Sequence, residues 1–117
     1  MNRKIIFRGW NIKYKCWDYV NNPMEDCALI DQNSVGQYTG LKDSTGKEIY
    51  EGDIVTIGSD LKAVVIWFNG SFRFKDELSC KATYLEDIGT VIRDYDVCII
   101  GNIHDNPELL KGGSNEA

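Results

Sequence analysis

The sequence predicts a mainly β domain of the α+β class, a small barrel or sandwich with appended elements. Three observations carry this reading: short runs rich in β-branched and aromatic residues follow one another, tight-turn signals separate them, and a single strong helix start occurs, near the C-terminus. With 117 residues the chain has room for one compact core. Hydrophobic residues make up 43% and charged residues 26%, the balance of a soluble globular domain. Residues 1–111 are expected to form that domain and residues 112–117 a flexible tail.

Residues 5–10 and 14–20 are two aromatic-rich runs that predict a hairpin, with its turn beginning at Gly9 to Asn11 and with Trp10 and Trp17 as core anchors. Asn21-Asn22-Pro23 is a turn signal, residues 28–30 read as a short strand, and residues 31–34 read as a loop. Gln37-Tyr38-Thr39 has strand composition and stops at Gly40. In Asp43-Ser44-Thr45-Gly46, the aspartate can accept backbone N–H groups and the glycine can take a positive φ, which fits a type I turn. A turn at Glu51-Gly52-Asp53 then feeds a strand over residues 54–57, and Gly58-Ser59-Asp60 turns the chain again.

Residues 61–68 form another strong β run, and Asn69-Gly70 tolerates the positive φ of a type I′ hairpin turn. The alternation after it places Phe72 and Phe74 on one face and Arg73 and Lys75 on the other. Residues 76–92 hold a short helix and a strand near residues 81–85, with Gly89 as an interruption. Val97-Cys98-Ile99-Ile100 is the apolar run of a buried central strand. Asn106-Pro107-Glu108 starts a short C-terminal helix: asparagine at the N-cap, proline at the first helical position, and glutamate favoured by the helix dipole.

The net charge of −5 argues against a generic nucleic-acid binder. Its distribution is uneven. Arg3, Lys4, Arg8, Lys13 and Lys15 fall within the first fifteen residues with no acid before Asp18, and the remainder holds eight bases against eighteen acids. Such a segment can face nucleic acid or pair with the acidic body of its own domain, and the second reading is preferred. The apolar run Ile5-Ile6-Phe7 is too short for a signal peptide or a membrane span, so a cytoplasmic protein is expected. Cys16, Cys27, Cys80 and Cys98 show no zinc or redox spacing and read as small hydrophobes.

His104 is the single histidine, and no HExxH or nucleophile-elbow sequence accompanies it, so a turn histidine is expected and no catalytic residue is assigned. Asp43, Glu48, Glu51 and Asp53 lie within eleven residues, and two or three together would suit Mg²⁺ and phosphodiester hydrolysis. Turn and strand-entrance duties account for Asp43, Glu51 and Asp53 equally well. Asp60-Leu61-Lys62 has the acid-x-Lys form of some nucleases, but a solvated turn is the simpler reading. Bases beside aromatic rings, Arg8 with Trp10 and Lys13 and Lys15 with Tyr14, would suit the stacking of single-stranded nucleic acid.

Three signatures in order, Phe7-Arg8-Gly9-Trp10, then Tyr38 to Asp43 with Gly46 to Val55, then Ile100 to Leu110, resemble the YopX family. The resemblance covers nearly the whole chain. It implies an origin in a bacteriophage or prophage and an SH3-like β-barrel with a smaller α+β part; no activity or ligand is established for that family. The chain departs from the usual pattern at His104, where tyrosine is frequent, and over residues 76–96. The expected function is that of a phage-encoded accessory protein, a non-catalytic protein-binding or self-associating module whose partner is a host or phage protein or a second copy. Arg8, Trp10, Lys13, Tyr50, Glu51 and Asp53 are the candidate binding residues, with no cofactor, metal or membrane involved. The alternatives are single-stranded nucleic-acid binding through the basic N-terminal hairpin and a divalent-metal-dependent hydrolase.

Overall fold

A computed structural model describes residues 5–20, 29–58, 61–68, 70–76 and 83–110. The expected turn at residues 21–25, the residues Arg3, Lys4, Cys27, Ser59, Asp60, Asn69 and Cys80, and the tail at 112–117 lie outside the described residues.

Strands β1 (Phe7–Asn11) and β2 (Cys16–Val20) form the expected hairpin, with Trp10 opposite Trp17. Its turn, however, lies at residues 12–15, after Gly9 to Asn11. Asn11 builds it: its Oδ1 accepts the N–H groups of Lys13 and Tyr14, and Lys15 takes a φ of 58°. Gly9 sits mid-ladder opposite Asp18 for a packing reason, since a Cβ there would press into the Ile30 side chain.

Strand β3 (Ile30–Lys42) is continuous where a strand, a loop and a second strand were expected. The expected loop is a bulge: Arg8 pairs with Gly36, but Trp10 pairs with Asp31. Ser34 fills it, its Oγ accepting the Trp10 N–H at 2.8 Å and donating to the Asp31 carbonyl at 2.6 Å. Polar residues suggest a break, yet here a hydroxyl stands in for the missing ladder bond. Strand β4 (Glu48–Tyr50) folds back with Tyr50 opposite Tyr38, giving the order β2-β1-β3-β4.

Strands β5 (Asp53–Ile57), β6 (Leu61–Phe68), β7 (Ser71–Asp76) and β8 (Thr83–Asp87) form an antiparallel meander. Helix α1 (Ile88–Asp94) follows, containing Gly89 without interruption, and β9 (Val97–Asn102) returns to pair with β5. The order is β8-β7-β6-β5-β9. The protein is thus mainly β, with two antiparallel sheets and one short α-helix among the described residues. The core lies between the second sheet and α1, built by Ile49, Val55, Val65, Phe74, Ile88, Val91 and Val97. Phe74 is fully buried and Phe72 packs against the cluster, as the alternation predicts. Trp10 and Trp17 are half-buried and stand outside this core.

Strand β9 is an edge strand, not a central one; Val97 is buried but Ile100 is exposed. Its apolar run misleads because the protection comes from a turn. The Ser44 N–H donates to the Val97 carbonyl, Ser44 Oγ accepts the Val97 N–H, and Asp43 Oδ2 accepts the Ile99 N–H. Pro107–Leu110 forms the C-terminal helix as a 3₁₀ turn. Asn106 does not cap it with its side chain; Oδ1 reaches back to the Asn102 N–H at 3.3 Å.

Asp43 Oδ1 also accepts the Thr45 and Lys47 N–H groups and the Thr45 hydroxyl. Burial pushes its carboxyl up, but the hydrogen bonds from Ile99, Thr45 and Lys47 outweigh that and hold it below its usual range. A carboxylate depressed in the folded state contributes stability above its unfolded pKa, and the contribution disappears as pH falls through the lower folded value. Asp43→Ala should therefore cost about 2–3 kcal/mol near neutrality. In urea unfolding the gap to wild type should narrow below a pH of about 4; a gap independent of pH would contradict the assignment.

Candidate functional site

The two sheets meet at a charged joint. Arg8, on β1, is 8% exposed, and its Nη2 lies 2.5 Å from Oδ1 of Asp53, which is 2% exposed at the start of β5. Asp53 Oδ2 accepts the Tyr50 N–H at 2.8 Å. The Arg8 guanidinium lies 4.8 Å from the Trp17 ring centre and 5.0 Å from that of Tyr50, and its Nε has no hydrogen-bond partner among the described residues. Burial pushes the Asp53 carboxyl above its usual range, and the Arg8 charge and the Tyr50 N–H offset this only in part. Burial, with the charge of Glu48, pushes the Tyr50 phenol up to about 12.

The turn between β4 and β5 is tied to three elements. The Glu51 N–H donates to the Gln37 carbonyl, the Gly52 N–H to the Val65 carbonyl, and the Gly52 carbonyl accepts the Ile103 N–H. Gly52 takes a φ of 93°, and Gly36 lets β3 approach so closely that a Cβ would overlap the Glu51 carbonyl.

Beside the joint an open cleft of about 470 Å³ runs between the sheets, reaching from Arg8 and Trp17 past Glu51 to Trp67, Ile103 and His104. Trp67 is 55% exposed, set edge-on against Phe72 at 4.9 Å, and Ile103 is 46% exposed. The Trp10, Trp17 and His104 rings pack together with centroids 5.4 Å apart. Asp105 fixes this group: one oxygen accepts the Trp17 Nε1–H at 3.1 Å and the Asn102 amide at 3.2 Å, and the other lies 3.2 Å from His104 Nδ1. Burial raises the Asp105 carboxyl, but these bonds outweigh it and hold it below the usual range. His104 Nε2 lies 3.6 Å from Asp31. Arg8 lines a second cleft of about 440 Å³, with Tyr19, Lys47 and Tyr50.

Of the candidate residues, Arg8, Tyr50 and Asp53 come together, but as a buried joint. For Arg8 the pairing with the acidic body of the domain is shown, and this corrects its use as a cation exposed to nucleic acid. Glu51 lines the cleft, and Trp10 belongs to the ring group at its end. Lys13 stands apart on the exposed hairpin turn, its Nζ 5.2 Å from the Tyr14 ring centre. Both Asp43 oxygens are taken by backbone groups and the Asp53 carboxylate by Arg8 and Tyr50. Among the described residues no three of His, Cys, Asp or Glu gather to hold a metal ion, and Asp43, Glu51 and Asp53 are accordingly not one group. Trp67 and Ile103 were not singled out from the sequence; the Asn69-Gly70 signal beside Trp67 marks a turn but not which ring stays uncovered. Among the described residues no helix is long and apolar enough to cross a membrane.

Fold and site define a class: a small two-sheet β protein joined by a buried arginine–aspartate pair, with an aromatic cleft beside the joint. The chain belongs to the YopX family, whose sequence model, described as YopX protein, matches residues 10–111. Among solved structures it is similar to the crystal structure of protein EF1440 from Enterococcus faecalis, at 21% identity and a TM-score of 0.59, over 94% of this chain and 100% of that one. That likeness shows the fold. The comparison with curated proteins returned no match.

Removing one partner of a buried pair leaves an uncompensated charge, so Arg8→Ala should cost about 3–5 kcal/mol. The double variant Arg8→Met/Asp53→Leu should lose less than Arg8→Ala alone, read by the urea midpoints of the three proteins. Equal losses in the single and the double variant would contradict the joint.

Proposed function

We propose that this protein is a non-catalytic protein-binding module, a phage- or prophage-encoded accessory protein working in the host cytoplasm. Its cleft between the sheets takes a short extended segment of a host or phage protein. The observation that carries the reading is the exposure of Trp67 and Ile103 along one cleft at the sheet junction, the arrangement in which a few aromatic and aliphatic anchors supply most of a binding energy. The free thiols of Cys16 and Cys98 support the compartment. The order β8-β7-β6-β5-β9, with a helix before the last strand, supports reading the second sheet as the SH3-like part.

Charge complementarity selects the segment. Arg8 is committed to Asp53, whereas Glu51 lines the cleft and Asp31 and Asp105 flank His104 at its end. With a net charge of −5 on the whole chain, the favoured segment carries apolar side chains and at least one lysine or arginine. A random-peptide display library panned against the full chain tests this. Enriched peptides should be apolar and basic, and Trp67→Ala and Ile103→Asp should each weaken them about tenfold with unchanged circular dichroism. No enrichment, or peptides indifferent to both substitutions, would overturn the reading. A low-salt mobility shift of single-stranded DNA abolished by Lys13→Glu/Lys15→Glu would favour the nucleic-acid alternative instead.

A further inference from the structure

We infer that β2 pairs edge to edge with β2 of a second copy of this chain, joining two four-stranded sheets into one of eight strands. The hydrogen bonds on the far side of β1 show which groups of β2 face outward. The Ile6 carbonyl accepts the Tyr38 N–H and the Trp10 N–H donates to Ser34 Oγ. Residues 6, 8 and 10 therefore aim their backbone groups at β3, while Phe7, Gly9 and Asn11 aim theirs at β2. Their partners on β2 are Val20, Asp18 and Cys16. The N–H and C=O groups of Trp17 and Tyr19 thus point out of the sheet, and no group among the described residues meets them.

The other edges differ. That of β9 is occupied by Asp43 and Ser44, β4 has three residues, and β8 runs directly into α1. Sheets blunt an open edge with charged side chains, lysine above all, with proline or with a bulge; Cys-Trp-Asp-Tyr-Val has no lysine or proline, keeps an unbroken register with β1, and carries one charge, Asp18, which accepts the Asn11 amide.

A second copy meets both the backbone and the charge requirement. A two-fold axis makes the pairing antiparallel and self-complementary. If Trp17 lay opposite Tyr19, each Asp18 would face the other; with Trp17 opposite Trp17, each Asp18 faces the uncharged Cys16 of the second copy, and the two acids stand apart. The same axis sends the two turns that carry Lys13 and Lys15 to opposite ends of the pair.

The test is the oligomeric state of the full chain by sedimentation velocity over a concentration series. Wild type should form dimers. Tyr19→Pro removes an outward N–H and none directed at β1, so it should be monomeric with an unchanged circular dichroism spectrum. Tyr19→Ala keeps that N–H and should still dimerise. Cys16→Glu should weaken the dimer about tenfold, with an unchanged circular dichroism spectrum, by setting an acid opposite each Asp18. A wild type monomeric at every concentration, or a dimer indifferent to Tyr19→Pro, overturns the inference. If Tyr19→Pro does not fold, Cys16→Glu decides, and undiminished dimerisation overturns it.

Discussion

The Asp53 carboxylate is the point on which the two sheets turn. One oxygen holds Arg8, 45 residues away on the first hairpin, and the other the Tyr50 N–H at the end of β4. Burying such a pair costs on the order of several kcal/mol per ion, and attraction repays it only when the remaining polar atoms are satisfied. Here one, Arg8 Nε, finds no partner among the described residues, and the faces of Trp17 and Tyr50 provide electrostatic compensation. The pair is therefore a poor source of net stability and a strong source of specificity. An apolar contact would let the sheets slide; a buried arginine accepts one seat.

The cleft inherits its shape from that seat. Trp17 covers the guanidinium and also lines the cleft, while Asp105 holds the indole from the other side. Behind it, the turn at Glu51 and Gly52 is bonded to β3, to β6 and to Ile103. The walls are thus set by hydrogen bonds and a salt bridge, and the exposed parts of Trp67 and Ile103 face the cleft.

Much of the fold was legible. Gly70, Glu-Gly-Asp and Asp-Ser-Thr-Gly marked their turns because each places a glycine or a side-chain acceptor where backbone chemistry demands one. Errors arose where a local signal served a non-local purpose. Gly9 read as a turn glycine but makes room for Ile30; the polar residues 31–34 read as a loop but form a bulge closed by Ser34; the apolar run of β9 read as central, but its edge is covered from residues more than fifty positions earlier. At the site, Arg8, Tyr50 and Asp53 were found without their burial. Trp67 and Ile103 were missed, because alternation gives the face of a strand and not what lies opposite that face.

The turn at Asp43 and Ser44 has a consequence for how the chain reaches this structure. Its bonds to Thr45 and Lys47 are local, whereas those to Val97 and Ile99 span 53 and 56 residues. Local contacts form before distant ones, so the turn can be in place before β9 is synthesised. When the last strand docks on β5, the acceptors for its outer N–H groups are already waiting. The interval during which a nascent strand edge is open to another chain, the interval that favours aggregation, closes in the same step that completes the sheet.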